Sequence, residues 1–330
     1  MLPELERLPR LELANTPTAL QETPRLADAL GLDRLLVKRD DNTGLALGGN
    51  KARKLEYLVA DAVAGGADVL VTVGGPQSNH CRATAAAARV AGLEAELVFT
   101  GPAVEAVQGN LVLDQLLGAT WTFAPAGQSA ADRMAELAAE LRAAGRRPYV
   151  IPSGGSNGIG ALGYVRGAFE LVGQLAERDL RPRYVVCAAG SCGTLAGLTL
   201  GLALAGSEAQ VVGVSVSTSI SDRIARTREV MAESCAHLGL DLPAAAPLVW
   251  DQYVGPGYGM PTDLSRRALD MTAHAEGLVL DPVYTAKAFG GLIGEVEAGR
   301  VRRDDLVVFL HTGGTPALFA DPALYWRPDA

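Results

Sequence analysis

The chain has 330 residues, of which 48% are hydrophobic and 20% charged, so it can bury a large core and lacks the composition of a disordered protein. Its net charge of −8 argues against a nucleic-acid partner or an anionic membrane surface. The length exceeds the usual span of one hydrophobic core, so we expect two domains.

Cysteine and histidine patterns give no sign of a metal site or of a disulfide framework. The four cysteines show no CxxC spacing, and the four histidines form no HExxH motif. No apolar run reaches the roughly 18 residues of a membrane span. Residues 1–10 also lack the apolar core of a signal peptide. We therefore expect no metal, no membrane partner and a cytoplasmic location.

Short apolar runs alternate along the chain with Ala-rich helical stretches. Continuous apolar strands between helices are typical of βαβ units, in which parallel sheets are covered by helices on both faces. The sequence therefore predicts an α/β fold. The predicted elements, in chain order, are strand 69–73, helix 79–91, strand 95–99, helices 129–144 and 161–177, strands 184–189 and 211–216, helix 285–299 and strand 306–310.

Two glycine-dense stretches, 44–49 and 153–160, are candidate crossings between the two domains. On that interpretation residues 47–158 form a smaller α/β domain, and residues 1–46 together with 159–330 form a larger one. The alternative is that both stretches are ordinary turns between strands and helices.

Lys51 opens a predicted amphipathic helix, directly after two glycines and Asn50. At the positive end of a helix and in a partly dry cleft, the charged form of a lysine is disfavoured. We therefore expect a lowered pKa and an amine that attacks carbonyl groups. The alternative is an ordinary solvated lysine in a first helical turn.

A glycine-rich turn, GSCGTLAGL at 190–198, follows the apolar run 184–189 and leads into a helix. That order places free backbone N–H groups at a helix N-terminus, which is a site suited to a phosphate. The turn is neither the GxxxxGK[ST] loop of nucleoside triphosphatases nor part of a GxGxxG dinucleotide motif. A tight turn without a ligand is the alternative.

Other polar residues follow predicted strands or lie in Gly/Pro loops. Gln77, Ser78 and Asn79 sit at the entrance of a helix, where they either face a cleft or cap the helix. Loops at the carboxyl ends of parallel strands are where α/β folds bind ligands. We expect four further residues to converge there: Tyr258, Tyr284, Thr285 and Thr312.

Eight ordered segments that span nearly the whole chain together resemble a known family. They are VKRDDNTG (37–44), GGNKARKLEYL, QSNH, IPSGGSNGIGALGYV, GSCGTLAGL, PGYGMPT, LDPVYTAKA and HTGGTPALF. This set resembles the pyridoxal-phosphate enzymes of the D-cysteine desulfhydrase and aminocyclopropane-carboxylate deaminase group. The resemblance implies pyridoxal 5′-phosphate as cofactor, the two-domain type II fold of tryptophan-synthase-like enzymes, a small amino-acid substrate and a homodimer.

The resemblance also implies a role for each matched residue. Lys51 would form the Schiff base with the cofactor, with Asn50 beside it among the cofactor-binding residues. Asn79 would bind the ring hydroxyl, and Ser78 would lie over the cofactor or near the substrate carboxylate, which Gln77 and Asn79 would help to hold. Tyr258 and Tyr284 would contact the substrate and act in catalysis. The phosphate would be held by Gly190, Ser191, Cys192, Gly193 and Thr194.

The residue after Tyr284 separates two reactions within this group. Deaminases of the group are expected to have a glutamate there, which keeps the pyridine nitrogen protonated, but this chain has Thr285. A hydroxyl, even with help from Thr312, cannot hold that proton as a carboxylate does, so the cofactor should be a weaker electron sink. Thr285 therefore favours β-elimination over opening of a cyclopropane ring.

The predicted activity is that of a carbon–sulfur lyase performing α,β-elimination on a three-carbon amino acid with a β-substituent. D-cysteine would give pyruvate, ammonia and sulfide. The alternative is an L-cysteate sulfo-lyase that releases sulfite, because DQYVGPGYGMPT and GGSNGIGALGYV also look like those enzymes. Two further alternatives are an aminocyclopropane-carboxylate deaminase and a non-catalytic pyridoxal-phosphate binder.

Overall fold

The structure is a computed structural model, of which residues 2–217 and 220–320 are described, and it confirms the α/β class. Ten strands lie within these residues: β1 (Leu20–Glu22), β2 (Leu35–Lys38), β3 (Val69–Gly74), β4 (Glu94–Phe99), β5 (Thr120–Phe123), β6 (Pro148–Ile151), β7 (Tyr184–Ala189), β8 (Gln210–Ser215), β9 (Leu248–Trp250) and β10 (Val307–Leu310).

These strands form two sheets. The larger has the order β1-β2-β10-β7-β8-β9, and the smaller has the order β5-β4-β3-β6. All neighbouring pairs are parallel except β1 and β2, which are antiparallel. In the larger sheet Val308 pairs with Leu36 on one side and Val185 on the other. In the smaller sheet Val71 pairs with Glu96 and Val150. Parallel pairing brings the carboxyl ends of the strands to one edge of each sheet.

Helices cover both faces of the sheets. Along β7, Val186 packs with Phe289 on one face, whereas Val185 packs with Leu198 on the other. The described α-helices are α1 (Pro3–Glu6), α2 (Pro24–Leu30), α3 (Lys51–Ala64), α4 (Asn79–Val90), α5 (Asn110–Leu116), α6 (Ala130–Ala143), α7 (Gly158–Ala176), α8 (Gly193–Leu204), α9 (Ile220–Leu238), α10 (Asp263–Glu276) and α11 (Thr285–Glu297). Within the described ranges no helix is long and apolar enough to cross a lipid bilayer.

Each of the nine elements predicted from the sequence overlaps an observed one. The strand predictions fall on β3, β4, β7, β8 and β10, and the helix predictions fall on α4, α6, α7 and α11. The strands that periodicity missed are β1, β2, β5, β6 and β9, each only three or four residues long. So short a run carries too little pattern to be separated from a loop.

The two sheets use separate parts of the chain. Every strand of the smaller sheet lies between residues 69 and 151, and the larger sheet uses residues 20–38 and 184–310. Tyr57 of α3 shares an apolar cluster with Leu162 of α7, so α3 in the suggested smaller domain packs against α7 in the suggested larger one. We keep the division into residues 47–158 and the remainder as a proposal.

A buried group of charges fixes the start of α3. Arg53 Nε donates to Asp40 Oδ2 at 2.8 Å, and Arg53 Nη2 donates to Glu170 Oε1 at 2.9 Å. Lys38 Nζ also donates to Glu170, and Tyr164 donates its hydroxyl to Asp40. Burial alone would raise the pKa of Asp40, but Arg53 holds it below its usual range. The group joins β2 to α3 and α7, two residues beyond Lys51.

Candidate active site

A cavity of about 630 Å³ lies at the carboxyl ends of β3, β7 and β10. This is the edge at which parallel sheets bind ligands, and the volume suits a cofactor with a small substrate. Eleven of the residues predicted from the sequence line it: Asn50, Lys51, Ser78, Asn79, Gly190, Ser191, Cys192, Thr194, Tyr258, Tyr284 and Thr312. Gln77, Gly193 and Thr285 do not line it.

Lys51 is the first residue of α3 and projects into the cavity. Burial lowers the pKa of its amine to about 8, although the nearby carboxylate of Asp281 opposes the shift. Near neutral pH a useful fraction of this amine is therefore unprotonated, as a nucleophile or a base requires.

The glycine-rich turn joins β7 to α8, as the sequence predicts. Cys192 precedes the helix with a left-handed backbone at φ 69°. A Cβ at Gly193 would come within 2.5 Å of Ser156 Oγ and 2.8 Å of Lys54 Nζ, so only glycine fits there. On the cavity side, Asn50 Nδ2 donates to Thr194 Oγ1 at 2.9 Å and ties the turn to the start of α3.

Lys54 is a buried amine at this turn that was not predicted from the sequence. Its Nζ donates to Gly154 O and to Ser156 Oγ, both at 3.1 Å. Burial, with a smaller contribution from Lys51, lowers its pKa well below the usual value. A bound anion would offset that cost, which is what a phosphate site supplies. The sequence feature that could have identified Lys54 is its position three residues after Lys51, which puts both lysines on one face of the helix.

Two arginines of α9 also line the cavity, although no sequence motif predicted them. Arg226 Nη2 donates to Ser156 O at 2.6 Å, and Arg223 donates to Gly190 O. Arg226 is also paired with Glu229 at 2.6 Å, so part of the positive charge at the phosphate end of the cavity is offset. Within the described residues, no group of three or more His, Cys, Asp or Glu side chains is placed to hold a metal ion.

The turn between β3 and α4 carries Gln77, Ser78 and Asn79. Ser78 caps α4, since its Oγ accepts from Cys81 N at 3.2 Å, and it still lines the cavity. Asn79 Oδ1 accepts from Asn110 Nδ2 at 2.9 Å. The side chain of Gln77 turns away from the cavity, and its Nε2 donates to Gln108 O at 2.9 Å.

Tyr258 and Tyr284 form a pair on the cavity wall. Their hydroxyl oxygens are 2.5 Å apart, and the rings meet edge to face with centroids 5.9 Å apart. Tyr258 is 55% exposed and so lies at the mouth of the cavity. Burial, reinforced by Tyr258, raises the pKa of Tyr284 well above its usual value. Tyr284 therefore keeps its proton near neutral pH.

Thr285 and Thr312 occupy different positions relative to the cavity. Thr285 is fully buried, and its Oγ1 donates to Asp281 Oδ1 at 2.7 Å. Thr312 lines the cavity directly. The sequence suggested both hydroxyls as contacts of the ring nitrogen. Thr312 is the one of the two that lines the cavity, whereas the hydroxyl of Thr285 is bound to Asp281.

Comparison with known proteins places the chain in a family. A family model described as pyridoxal-phosphate dependent enzyme matches residues 11–313. Two D-cysteine desulfhydrases from strains of Klebsiella pneumoniae are each 44% identical over 325 residues, covering 97% of this chain and 98% of the relative. The crystal structure of an ACC deaminase homologue matches with a TM-score of 0.90 at 38% identity, over 98% of both chains.

A distant relative supports the fold alone. Threonine deaminase isoform 2 from Solanum lycopersicum has a TM-score of 0.68 at 16% identity, over 95% of this chain and 83% of its own. The predicted type II fold is thus confirmed.

The residues present fit pyridoxal phosphate. The cavity has a low-pKa amine at one end and, at the other, a turn whose Gly193 leaves room beside a buried lysine and two arginines. An aldehyde needs the first and a phosphate the second. The predicted cofactor is confirmed, and the chain belongs to the family of pyridoxal-phosphate dependent enzymes.

Proposed function

We propose that this pyridoxal-phosphate-dependent enzyme is a carbon–sulfur lyase that converts D-cysteine and water to pyruvate, ammonia and hydrogen sulfide. Identity of 44% to two D-cysteine desulfhydrases over nearly the whole chain supports the substrate. The observation that carries the chemistry is the placement of Lys51 in one cavity with the paired hydroxyls of Tyr258 and Tyr284.

In this proposal the cavity residues hold the cofactor from three sides. Lys51 would bind the aldehyde, the turn at 190–194 with Lys54 would bind the phosphate, and Asn79 would donate to the ring oxygen. Thr312 would be the residue nearest the ring nitrogen. When bound, the cofactor withdraws electrons from the substrate Cα and so makes the Cα–H bond acidic.

Lys51 is the base of the proposed elimination. Once the substrate's amino group has replaced Lys51 at the aldehyde, the freed, unprotonated Nζ takes the proton from Cα, and the electron pair of the Cα–H bond forms the Cα=Cβ bond. The pair of the Cβ–S bond leaves with sulfur. The released enamine then hydrolyses to pyruvate and ammonia. Burial keeps the pKa of Lys51 close to neutrality. The amine can therefore accept a proton and, once protonated, donate it again.

The tyrosine pair is the proposed acid for the departing sulfur. Thiolate is a moderately basic leaving group, so a proton delivered to it lowers the barrier. One of the two hydroxyls donates to the other across 2.5 Å, which leaves the proton of the second available for the substrate. The raised pKa of Tyr284 keeps the pair protonated near neutral pH.

The pH dependence of cofactor uptake tests the assigned state of Lys51. Only the unprotonated amine attacks the aldehyde, so covalent uptake of pyridoxal phosphate by the apoenzyme should speed up with pH and level off above about 8. An unshifted lysine would keep gaining rate up to about 10.4. Stopped-flow absorbance across pH 6 to about 11 measures this, and a midpoint above 10 would rule out the assignment.

A substrate panel tests the proposed reaction. Sulfide, sulfite and 2-oxo acids would be quantified with D-cysteine, L-cysteine, L-cysteate, D-serine and aminocyclopropane carboxylate. We expect equimolar pyruvate and sulfide from D-cysteine at the highest kcat/KM. Preferred release of sulfite from L-cysteate would replace the proposal with a sulfo-lyase. Comparable 2-oxobutyrate from the cyclopropane substrate would contradict the argument from Thr285, and no turnover at all would indicate a cofactor binder.

A homodimer and a cytoplasmic location remain proposals as well. The dimer is supported by exposed apolar side chains on the surface of the described residues. Leu47, Leu116 and Phe319 are 63%, 77% and 70% exposed, and Leu47 and Phe319 line a shallow groove together with Val112.

A further inference from the structure

Asn110 is a buried residue outside the cavity that contacts Asn79 on the cavity wall and Gln77 two residues before it. It is the first residue of α5 and is fully buried. Its Nδ2 donates to Gln77 O and to Asn79 Oδ1, both at 2.9 Å. Its backbone N donates to Gln77 Oε1 at 2.8 Å. The loop before α5 is thus clamped to the turn between β3 and α4.

Backbone groups fix the direction of every hydrogen bond in this clamp. Gln77 O is a carbonyl and can only accept, so Asn110 must present Nδ2 to it. The same Nδ2 group meets Asn79, which must therefore present Oδ1. The backbone N of Asn110 can only donate, which fixes Gln77 Oε1 in the same way. Rotating any one of these amides would bring two donors or two acceptors together in a buried site.

The clamp determines what Asn79 offers to the cavity. With Oδ1 held by Asn110, its Nδ2 group lies toward Gly314, where a Cβ would come within 2.8 Å of it. Gly314 directly follows Thr312 and Gly313, which line the cavity together with Asn79. A donor in this place stabilises a deprotonated oxygen on a bound ring, whereas an acceptor would destabilise it.

We propose that Asn110 is a positioning residue that holds the Asn79 amide with Nδ2 facing the cavity, and thereby keeps the ring oxygen of the bound cofactor deprotonated. The inference rests on the proposed placement of the ring oxygen beside Asn79. It does not depend on which amino acid is the substrate. Cofactor binding therefore tests it separately from turnover.

The test compares Asn110→Asp with Asn110→Ala in protein reconstituted with pyridoxal phosphate. The carboxylate is nearly isosteric but only accepts, so it should turn the Asn79 amide and present Oδ1 to the cavity. The alanine variant only frees Asn79. We expect N110D to weaken cofactor binding by about tenfold to a hundredfold. N110A should weaken it less, and in both variants absorbance should shift from the visible band to the near-ultraviolet band of a protonated ring oxygen.

An Asn79→Ala background separates this role from a structural one. If Asn110 acts through Asn79, N110D should change cofactor affinity and absorbance little once Asn79 is absent. Gln115→Ala, at an exposed position on the same helix, should leave both quantities unchanged. Unfolding midpoints of the apoproteins identify variants that fail to fold. If N110D does not fold, the affinity and spectrum of N110A are used for the test instead. Wild-type affinity and spectra in N110A and N110D, or an equal loss in the Asn79→Ala background, would overturn the proposal.

Discussion

Replacement of Lys51 by alanine is expected to lower kcat with D-cysteine by about ten-thousandfold or more, because one side chain serves as both cofactor anchor and base. The protein should also lose the visible absorbance of covalently held cofactor. Steady-state pyruvate formation and absorbance spectra of the same preparation measure the two effects.

Fold and phosphate binding provide the control for this variant. Lys51 takes no part in the ionic group of Arg53, Asp40 and Glu170, so the unfolding midpoint of the apoprotein should change little. The phosphate turn with Lys54 should still bind the cofactor without a covalent link. Retention of the visible band, or more than about a hundredth of wild-type kcat, would show that another amine anchors the cofactor.

Replacement of Tyr284 by phenylalanine is expected to lower kcat with D-cysteine by about a hundredfold or more, because the departing sulfur loses its proton donor. Tyr258→Phe should have the same direction of effect, since the two hydroxyls share one hydrogen bond of 2.5 Å. The double variant should be little worse than the more damaged single variant, because both act in one proton delivery.

A substrate with a better leaving group isolates the proposed role of the pair. Chloride is a far weaker base than thiolate and needs no proton to leave, so β-chloro-D-alanine should be turned over by both tyrosine variants at close to the wild-type rate. Equal losses with the chloro and thiol substrates would assign the tyrosines to substrate binding or to the Cα proton instead of the sulfur.

Much of the site was predictable because its signals are local. Lys51 at a helix start and Gly190–Thr194 between a strand and a helix are each visible in ten or so consecutive residues. The alternation of apolar strands and helices placed the glycine-rich turn at the carboxyl edge of a parallel sheet, whereas β2, the strand before Lys51, was not predicted. The meeting of the two segments in one cavity was implied by the family resemblance.

The remainder depends on contacts between distant parts of the chain. Thr285 was predicted to face the ring nitrogen, yet its hydroxyl donates to Asp281, four residues earlier in the chain. This hydrogen bond depends on how both residues are buried, which their positions in the sequence do not reveal. Gln77 was predicted at the substrate carboxylate, yet its side chain is held by the loop at 108–110. Arg223, Arg226 and Asn110 reach the site or its supports from helices with no motif, so only the tertiary structure identifies them.

Reduction of the cofactor-loaded enzyme with borohydride, followed by peptide mass mapping, tests the central claim most directly. The reagent fixes the cofactor to whichever amine carries it, and two lysines three residues apart line the cavity. The account predicts the modification on Lys51 and none on Lys54. A modification on Lys54, or a cofactor that is never fixed to the protein, would contradict it.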